Sequence, residues 1–215
     1  MKEYHKINTI FKRDPITNKI IIGDYSCEEF RYLANNIWEW SEKVDGTNIR
    51  IMWNGKDIVF GGKTDDAQMP VFLMYILQEL FEGNKKELFK SKFVNKDGTL
   101  MDSVCLYGEG YGAKIQKGGG NYIKDGVDFV LFDVKIGETW LERENVEDIA
   151  NHFGLKIVPI IGEGTLSNAV EKVKVGFNSQ WGDFIAEGIV LRPKTELRTR
   201  RGDRVITKIK YRDFL

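Results

Sequence analysis

The sequence predicts an α+β fold with antiparallel sheets, and three observations lead to this class. Strand-like and helix-like runs are mixed, but they do not alternate regularly as they do in a doubly wound parallel fold. The dipeptide Asn54-Gly55, a strong hairpin signal, lies between two strand-like runs. The 215 residues contain no internal repeat, low-complexity tract or linker rich in proline or serine, so they fit one large domain or two small ones.

Strands are predicted wherever apolar residues alternate with polar ones or form short runs between turn residues. These runs are residues 4–11, 19–22, 49–53, 57–61, 104–112, 128–136, 156–161, 186–193 and 204–210. Asp14-Pro15 forms the turn between the first two strands, and Asn54-Gly55 joins the third and fourth as a hairpin. The run 104–112 leads into a glycine-rich stretch that lacks both the P-loop lysine and the dinucleotide fingerprint, so by itself it indicates a surface loop.

Helices are predicted from longer periodic runs with start and stop signals. These runs are residues 26–36, 71–81, 84–95, 142–152 and 166–175. Ser26 is the predicted cap of the first helix, with Glu29 completing a capping box. Proline precedes the second helix, Gly154 ends the fourth, and Thr165 or Ser167 caps the fifth.

Composition excludes several classes of protein. Lysine plus arginine equal aspartate plus glutamate at 32 each, which excludes a uniformly basic nucleic-acid binder but leaves a local basic groove open. The isolated Cys27 and Cys105 fit reduced thiols, and with only His5 and His152 besides they form no zinc motif. The lack of a signal core or an apolar run of membrane length predicts a soluble cytoplasmic protein with no membrane partner. Abundant lysine, isoleucine and asparagine fit an AT-rich viral or bacterial genome.

Two lysine patterns each have a functional and a structural interpretation. Lys43 precedes a turn at Gly46, and a lysine amine becomes a nucleophile when desolvation or neighbouring cations favour its uncharged form. The alternative is an ordinary solvated turn with mixed charges. Lys208 and Lys210 lie two apart on a predicted strand, so they share a face, where an anion would relieve their repulsion. The alternative is an edge strand that carries lysines against aggregation.

Six short motifs in order carry a family resemblance. They are Lys-x-Asp-Gly, Gly-Gly-Lys, Tyr-Gly-Glu-Gly, Phe-x-x-Phe-Asp, Glu-Gly-Ile-Val and Lys-x-Lys, over residues 42–210. The set resembles the covalent nucleotidyltransferase superfamily of DNA ligases, RNA ligases and mRNA capping enzymes. The run from Glu42 to Asn48 and the triplet Ile115-Gln116-Lys117 look most like the nick-sealing RNA ligase 2 branch. The resemblance implies a nucleotidyltransferase (ATP-grasp-like) domain of two antiparallel sheets flanked by helices.

The same resemblance implies how this chain would handle ATP. Lys43 would attack the α-phosphorus and become a lysyl-AMP phosphoramidate, while Lys208 and Lys210 contact the phosphates. Glu109 would contact the ribose, and Glu187 would bind a divalent metal. Glu109 and Glu187 are thus the predicted ligands of Mg²⁺ or Mn²⁺, since hard cations take oxygen ligands.

Further residues receive roles by their position in the motifs. The resemblance implies that Glu42 reads the adenine edge, that Phe129 stacks on adenine and that Asn48 lies near a 5′-phosphate. Lys63 stands where the family usually has an arginine that touches the ribose or the nucleic-acid phosphate. A point charge here replaces the bidentate guanidinium of that arginine. Arg50 has two interpretations, a residue of the site or a residue on the surface of a strand.

The implied activity is that of an ATP-dependent RNA ligase acting on a nicked duplex or a broken strand. A small DNA ligase and a non-catalytic nucleotide- or RNA-binding module are the alternatives, and sealing and adduct assays separate them. Residues 1–215 are predicted to form one adenylyltransferase domain with no C-terminal accessory domain, because the sequence reaches Leu215 soon after the Lys-x-Lys strand. Either the domain is a minimal ligase, or a protein partner takes the place of the accessory domain that full-length relatives carry.

Overall fold

The chain crosses three times between two compact units, after Tyr4, after Val44 and after Ile157. The computed structural model describes residues 3–215, except for the side chain of Asn84. The first unit contains Asp45–Ile157 and the segment that ends at Tyr4, and the second contains His5–Val44 and Val158–Leu215. Each unit has its own sheet and its own apolar core.

The strands of the described residues are short except in the middle of the chain. In chain order they are β1 (Asn8–Thr9), β2 (Phe11–Arg13), β3 (Ile20–Tyr25), β4 (Trp38–Glu42), β5 (Thr47–Trp53), β6 (Ile58–Gly61), β7 (Val104–Gly112), β8 (Val127–Ile136), β9 (Thr139–Trp140), β10 (Lys156–Ile157), β11 (Ile160–Gly164), β12 (Gly188–Pro193) and β13 (Thr207–Lys210). The two longest, β7 and β8, pair with each other and anchor the sheet of the first unit.

The helices lie between these strands. They are α1 (Glu28–Tyr32), α2 (Val71–Phe81), α3 (Lys86–Lys92), α4 (Gly119–Tyr122), α5 (Arg143–Phe153) and α6 (Leu166–Val175), with 3₁₀ turns at Gly83–Lys85 and Tyr211–Phe214. No helix in residues 3–215 combines the length and the apolar character that a membrane span requires.

The second unit is built on a five-stranded sheet in the order β1-β13-β12-β4-β11. Strand β12 runs antiparallel to both β13 and β4, whereas β1 joins β13 in parallel. Because β13 is paired on both sides, the edge-strand interpretation of Lys208 and Lys210 is wrong. Residues of α1 and α6 pack with the sheet in one core that includes Trp38, Val170 and Ile189.

The first unit contains the sheet β10-β8-β7-β5-β6, with β9 paired to β8. Its pairs are antiparallel except for β10 with β8. Helices α2, α3 and α5 contribute buried aromatic rings to its core, including Phe81, Phe89 and Phe153. Burying each such ring contributes about 1.5–3 kcal/mol, so this aromatic cluster is a large part of the unit's stability.

The mixed α+β class with antiparallel sheets is confirmed, and the strongest local signals agree with the structure. Strands β5 and β6 form the hairpin predicted at Asn54-Gly55. Helix α5 ends at Gly154, whose φ of 66° is the left-handed value that favours glycine. Helix α6 begins at Thr165, whose side chain forms a capping box with Asn168.

Two local predictions are wrong because distant groups decide the outcome. The hydroxyl of Ser26 donates to the carbonyl of Thr9 at 2.6 Å, so it does not cap α1, which begins after Cys27 without a side-chain cap. The strand predicted over 156–161 is two strands in two sheets, β10 and β11, because the chain passes from one unit to the other after Ile157.

The buried Cys105 is expected to be unreactive in the folded protein. Burial raises the pKa of the Cys105 thiol to about 11, so at pH 8 this thiol stays protonated, and thiolate forms only as the pH rises toward that value. In a Cys27→Ser variant, iodoacetamide should therefore leave the folded protein almost unlabelled at pH 8 and should label it fully in denaturant. Mass spectrometry gives the readout. Rapid native labelling of Cys105 at pH 8 would contradict its burial.

Candidate active site

One carboxylate in the second unit binds two lysines that lie far apart in sequence. Lys43 Nζ lies 2.6 Å from Glu187 Oε2, and Lys210 Nζ lies 2.6 Å from Glu187 Oε1. The three side chains are largely buried, with exposed fractions of 19%, 11% and 14% for Lys43, Glu187 and Lys210. The structure thus brings together three of the residues that the sequence predicted for the site.

The pairing of three neighbouring strands places these side chains. Lys43 directly follows β4, and its backbone N–H donates to the carbonyl of Gly188 at 2.9 Å. Gly188 pairs with Lys210 across β12 and β13. A Cβ on Gly188 would lie 2.1 Å from the carbonyl oxygen of Ile209, so only glycine allows the strands to approach this closely beside Glu187.

The cluster carries more positive than negative charge. Two ammonium groups share one carboxylate, and the half-buried Lys208 lies two residues before Lys210 on β13. Thr207 and Ile209, which alternate with these lysines along β13, are buried, so the two lysines share the opposite face of the strand, as predicted. Such a concentration of ammonium groups in a partly desolvated place favours an anion such as a phosphate.

Glu42 has a structural environment within the same sheet. It is 1% exposed. Its carboxylate accepts one hydrogen bond from the hydroxyl of Ser179 and another, at 2.8 Å, from the backbone N–H of Gln180. Burial raises the pKa of this carboxyl group, and the two hydrogen bonds oppose that shift. Both oxygens are therefore engaged in holding the loop around residue 180, which is at odds with the adenine contact predicted for Glu42.

In the first unit, Asn48 and Glu109 lie directly opposite each other on β5 and β7. The side-chain oxygen of Asn48 is buried and has no hydrogen-bond partner among the described residues. A buried acceptor without a donor is costly, so this atom suits a ligand hydroxyl or amine. The orphaned oxygen is the structural observation that makes the pair Asn48 and Glu109 fit a bound nucleotide or nucleic acid.

The glycine-rich segment after β7 holds the turn that follows Lys43 in sequence. Gln116 Nε2 donates to the carbonyl of Gly46 at 3.0 Å, and the backbone N–H of Asp45 donates to the hydroxyl of Tyr122 at 3.1 Å. A Cβ on Gly46 would lie 2.6 Å from Glu109 Cγ, so the glycine is required for close packing on β7. The segment thus contacts this turn, while Lys114, Gln116, Lys117, Gly120 and Asn121 lie at the surface, as predicted for a surface loop.

Arg50 is fully buried, so its interpretation as a strand-surface residue is wrong. Its Nε donates to the carbonyl of Gly62, and its Nη2 donates to Asp65, both at 2.7 Å. These bonds fix the two sides of the loop that carries Lys63. Lys63 itself is exposed on that loop.

The two phenylalanines of the Phe-x-x-Phe-Asp motif have opposite environments. Phe129 is 1% exposed and packs edge-on against Phe81 in the apolar core, so its stacking on adenine is at odds with its burial. Phe132 is half-buried and lies against Tyr4, with the ring centroids 5.1 Å apart. The sequence contains both rings, but nothing in it shows which of them belongs to the core.

The predicted metal ligands belong to different units, Glu109 to the first and Glu187 to the second. Their carboxylates are the correct donor type for Mg²⁺ or Mn²⁺. Within residues 3–215, however, no group of three or more His, Cys, Asp or Glu side chains is arranged to hold a metal ion. Glu187 uses both oxygens for Lys43 and Lys210, so the described arrangement does not form a metal site.

Comparisons with known proteins found one family model and several solved structures that match this chain. A family model described as "RNA ligase" matches residues 36–210. Solved structures of the Naegleria gruberi RNA ligase are similar in fold, with TM-scores of 0.62 for the complex with PPi and for a mutant with ATP and Mn. Identity is 17% and 16%, and the match covers 98% and 97% of this chain. A further mutant with AMP and Mn gives a TM-score of 0.61 at 17% identity.

The match covers only part of those relatives. This chain spans 62% of the Naegleria gruberi chain solved with PPi and 57% of the chains solved with ATP and with AMP. At such low identity the likeness shows a shared fold, and the family assignment depends on the match over residues 36–210.

Proposed function

The chain belongs to the RNA ligase family, and from this premise we propose that it is an ATP-dependent RNA ligase with Lys43 as its nucleophile. One observation carries the proposal. Lys43 and Lys210, 167 positions apart in a chain of 215, meet at the two oxygens of Glu187. A solvated turn would give Lys43 no reason to be enclosed beside a second lysine and an acid.

The chemistry of the first step follows from these groups. The uncharged amine of Lys43 attacks the α-phosphorus of ATP, so that a P–N bond forms as the P–O bond to pyrophosphate breaks. Negative charge develops on the leaving pyrophosphate, and the ammonium groups of Lys208 and Lys210 neutralise it. Glu187 holds Lys43 in place before the attack and is a candidate acceptor for the amine proton, because its carboxylate already touches Nζ.

Two transfers to RNA complete the proposed reaction. A 5′-phosphate oxygen of RNA attacks the adenylylated phosphorus, which releases the Lys43 amine and leaves an RNA 5′-adenylate. A neighbouring 3′-hydroxyl then attacks the 5′-phosphorus, so that a phosphodiester forms and AMP leaves. We assign the chain to the nick-sealing branch on its two sub-family cues, one of which, Gln116, holds Gly46 next to Glu109.

A divalent ion would supply positive charge against the phosphoryl oxygens when bound. The Naegleria gruberi relatives were solved with Mn, and we propose Mg²⁺ or Mn²⁺ as the ion for this chain. Glu187 and Glu109 are the carboxylates that we propose for holding it.

Incubation with α-labelled ATP and Mg²⁺ or Mn²⁺ tests the proposal. A covalent protein–AMP adduct that survives denaturing electrophoresis is expected, followed by sealing of a nicked duplex whose broken strand is RNA. The same assay on duplexes whose nicked strand is DNA tests DNA as the alternative substrate. Sealing restricted to DNA would make the chain a DNA ligase. RNA binding without any adduct would make it a non-catalytic binding module.

A further inference from the structure

A groove of about 790 Å³ lies on the second unit, beside the strand that carries Lys208 and Lys210. We call it the basic groove, because six cationic side chains line it: Lys6, Lys12, Arg13, Lys208, Lys210 and Arg212. The chain as a whole has a net charge of zero, so this accumulation is local and not a reflection of composition. A balanced composition does not exclude such a local basic surface, and the structure contains one.

One carboxylate lines the groove, and its oxygens are already used. Asp213 Oδ1 pairs with Arg13 at 2.6 Å, and Oδ2 accepts the backbone N–H of Lys210 at 3.0 Å. The side chain of Asp213 is only 2% exposed, so it fastens the walls of the groove together. Its single charge leaves the cations of the groove in excess.

Three of the cations can turn toward a ligand without breaking a buried pair. Lys6 and Arg212 are exposed and have no acidic partner in the part of the chain that the structure describes. Lys12 pairs with Asp24 at 2.8 Å, but both side chains are about half exposed, and such surface pairs are weak. These long side chains therefore form an adaptable positive rim.

The floor of the groove is rigid by comparison. The backbone N–H of Ile10 donates to the carbonyl of Lys208 at 3.1 Å, and the hydroxyl of Thr207 donates to the carbonyl of Asn8 at 2.9 Å. Strand β1 is thereby held in parallel register with β13, with Thr9 opposite Lys208. A fixed floor with mobile lysines and arginines at the rim suits a chain of phosphate groups better than a single compact anion.

The groove and the candidate active site share Lys210. Lys210 lines the groove and at the same time binds Glu187, whose other oxygen binds Lys43. A phosphate chain lying in the groove would therefore lead to the lysine that we propose as the nucleophile. We propose that the basic groove binds the sugar–phosphate backbone of the RNA strand being joined, with Lys6 and Arg212 as phosphate contacts. This inference rests on the ligase function proposed above.

The double variant Lys6→Ala/Arg212→Ala tests this site. Its affinity for a nicked RNA duplex should fall about tenfold at low salt. The negative slope of log association constant against log salt concentration should become less steep by about 2, one for each lost phosphate contact. Because phosphate contacts carry no sequence information, the loss should be equal for unrelated RNA sequences. The rate of protein–AMP formation and its dependence on ATP concentration should match the wild type.

The matched control is Lys174→Ala/Arg200→Ala, which removes one exposed lysine and one exposed arginine of the same unit outside the groove. RNA binding by this control should equal that of the wild type. If the groove variant instead raises the ATP concentration needed for adduct formation, the groove serves the triphosphate tail and the RNA assignment is overturned. Equal losses in the two double variants would show that net charge alone matters, which also overturns it.

The RNA-binding result does not depend on whether the chain is a ligase. RNA binding is measured on the wild-type chain and its variants without ATP, so it gives a result even if no adduct forms. An adduct with unchanged RNA binding in Lys6→Ala/Arg212→Ala would refute the groove alone. Weakened RNA binding without any adduct in the wild type would refute the ligase and leave the groove as an RNA site.

Discussion

Replacing Lys43 with alanine is expected to abolish the protein–AMP adduct, with a fall in its rate of about 10³-fold or more. The substitution removes the only atom that the proposed mechanism uses to form the P–N bond. The measurement is single-turnover transfer of label from α-labelled ATP, with the modified lysine located by peptide mass spectrometry. Thermal unfolding of the variant shows whether the fold is intact.

Two companion variants make this result specific. Lys43→Arg keeps a positive charge beside Glu187 but offers a guanidinium that does not lose its proton, so it should also fail to form the adduct. Lys174→Ala removes an exposed lysine of the same unit and should react like the wild type. Label found on Lys210 in the Lys43→Ala variant would move the nucleophile to the second lysine on Glu187 and contradict our assignment.

Local sequence signals predicted much of the secondary structure because neighbouring residues alone decide those features. The Asn54-Gly55 hairpin, the end of α5 at Gly154 and the cap of α6 at Thr165 depend on residues within one turn of each other. Ser26 failed as a cap because its hydroxyl bonds to Thr9, 17 residues away, a partner that no local pattern identifies.

The sheet assignment of a strand is not a local property. Residues 156–161 have one continuous strand pattern, but the first two pair with β8 and the last two belong to the sheet with β4. Val158 and Pro159 lie between these pieces, and Pro159 has no backbone N–H to continue a ladder. Only the three-dimensional arrangement shows that the chain changes units here.

The candidate site was predicted best where alternation along one strand was sufficient. Lys208 and Lys210 share a face, as the side-chain period of two in a strand requires. The binding of Lys43 and Lys210 to the two oxygens of Glu187, however, depends on three strands being neighbours. The role given to Phe129 came from its position in a motif, and a motif position does not show that this ring is buried. Strand β8 also contains a bulge. Tyr107 pairs with Asp133 but Gly108 with Leu131, which leaves Phe132 without a partner and changes the phase of alternation.

Substituting Glu187 with glutamine is expected to slow protein–AMP formation about 10²-fold while the protein remains folded. The carboxylate accepts from two ammonium groups, one on each oxygen. Glutamine has a single acceptor oxygen, so its amide NH₂ must face either Lys43 or Lys210 and cannot accept from that lysine. One lysine then loses its position, and adenylylation slows even at saturating ATP.

A matched control separates this effect from the loss of any surface ion pair. Glu163 on β11 pairs with Lys194 at 2.8 Å, but both side chains are more than half exposed, so Glu163→Gln should leave the rate unchanged. A wild-type rate in Glu187→Gln would refute the positioning role of Glu187.

The same variant decides between the two roles given to Glu187, because they respond differently to metal and to a second substitution. If Glu187 binds a divalent ion, Glu187→Gln should need a higher Mg²⁺ concentration for half-maximal rate, and added Mg²⁺ should restore part of the activity. If it only positions lysines, the Mg²⁺ dependence should stay as in the wild type. The double variant Glu187→Gln/Lys210→Ala should then raise the activation free energy of protein–AMP formation by less than the sum of the two single increases, since both changes disrupt one pair. The structure favours the second outcome, because both oxygens of Glu187 already contact lysines.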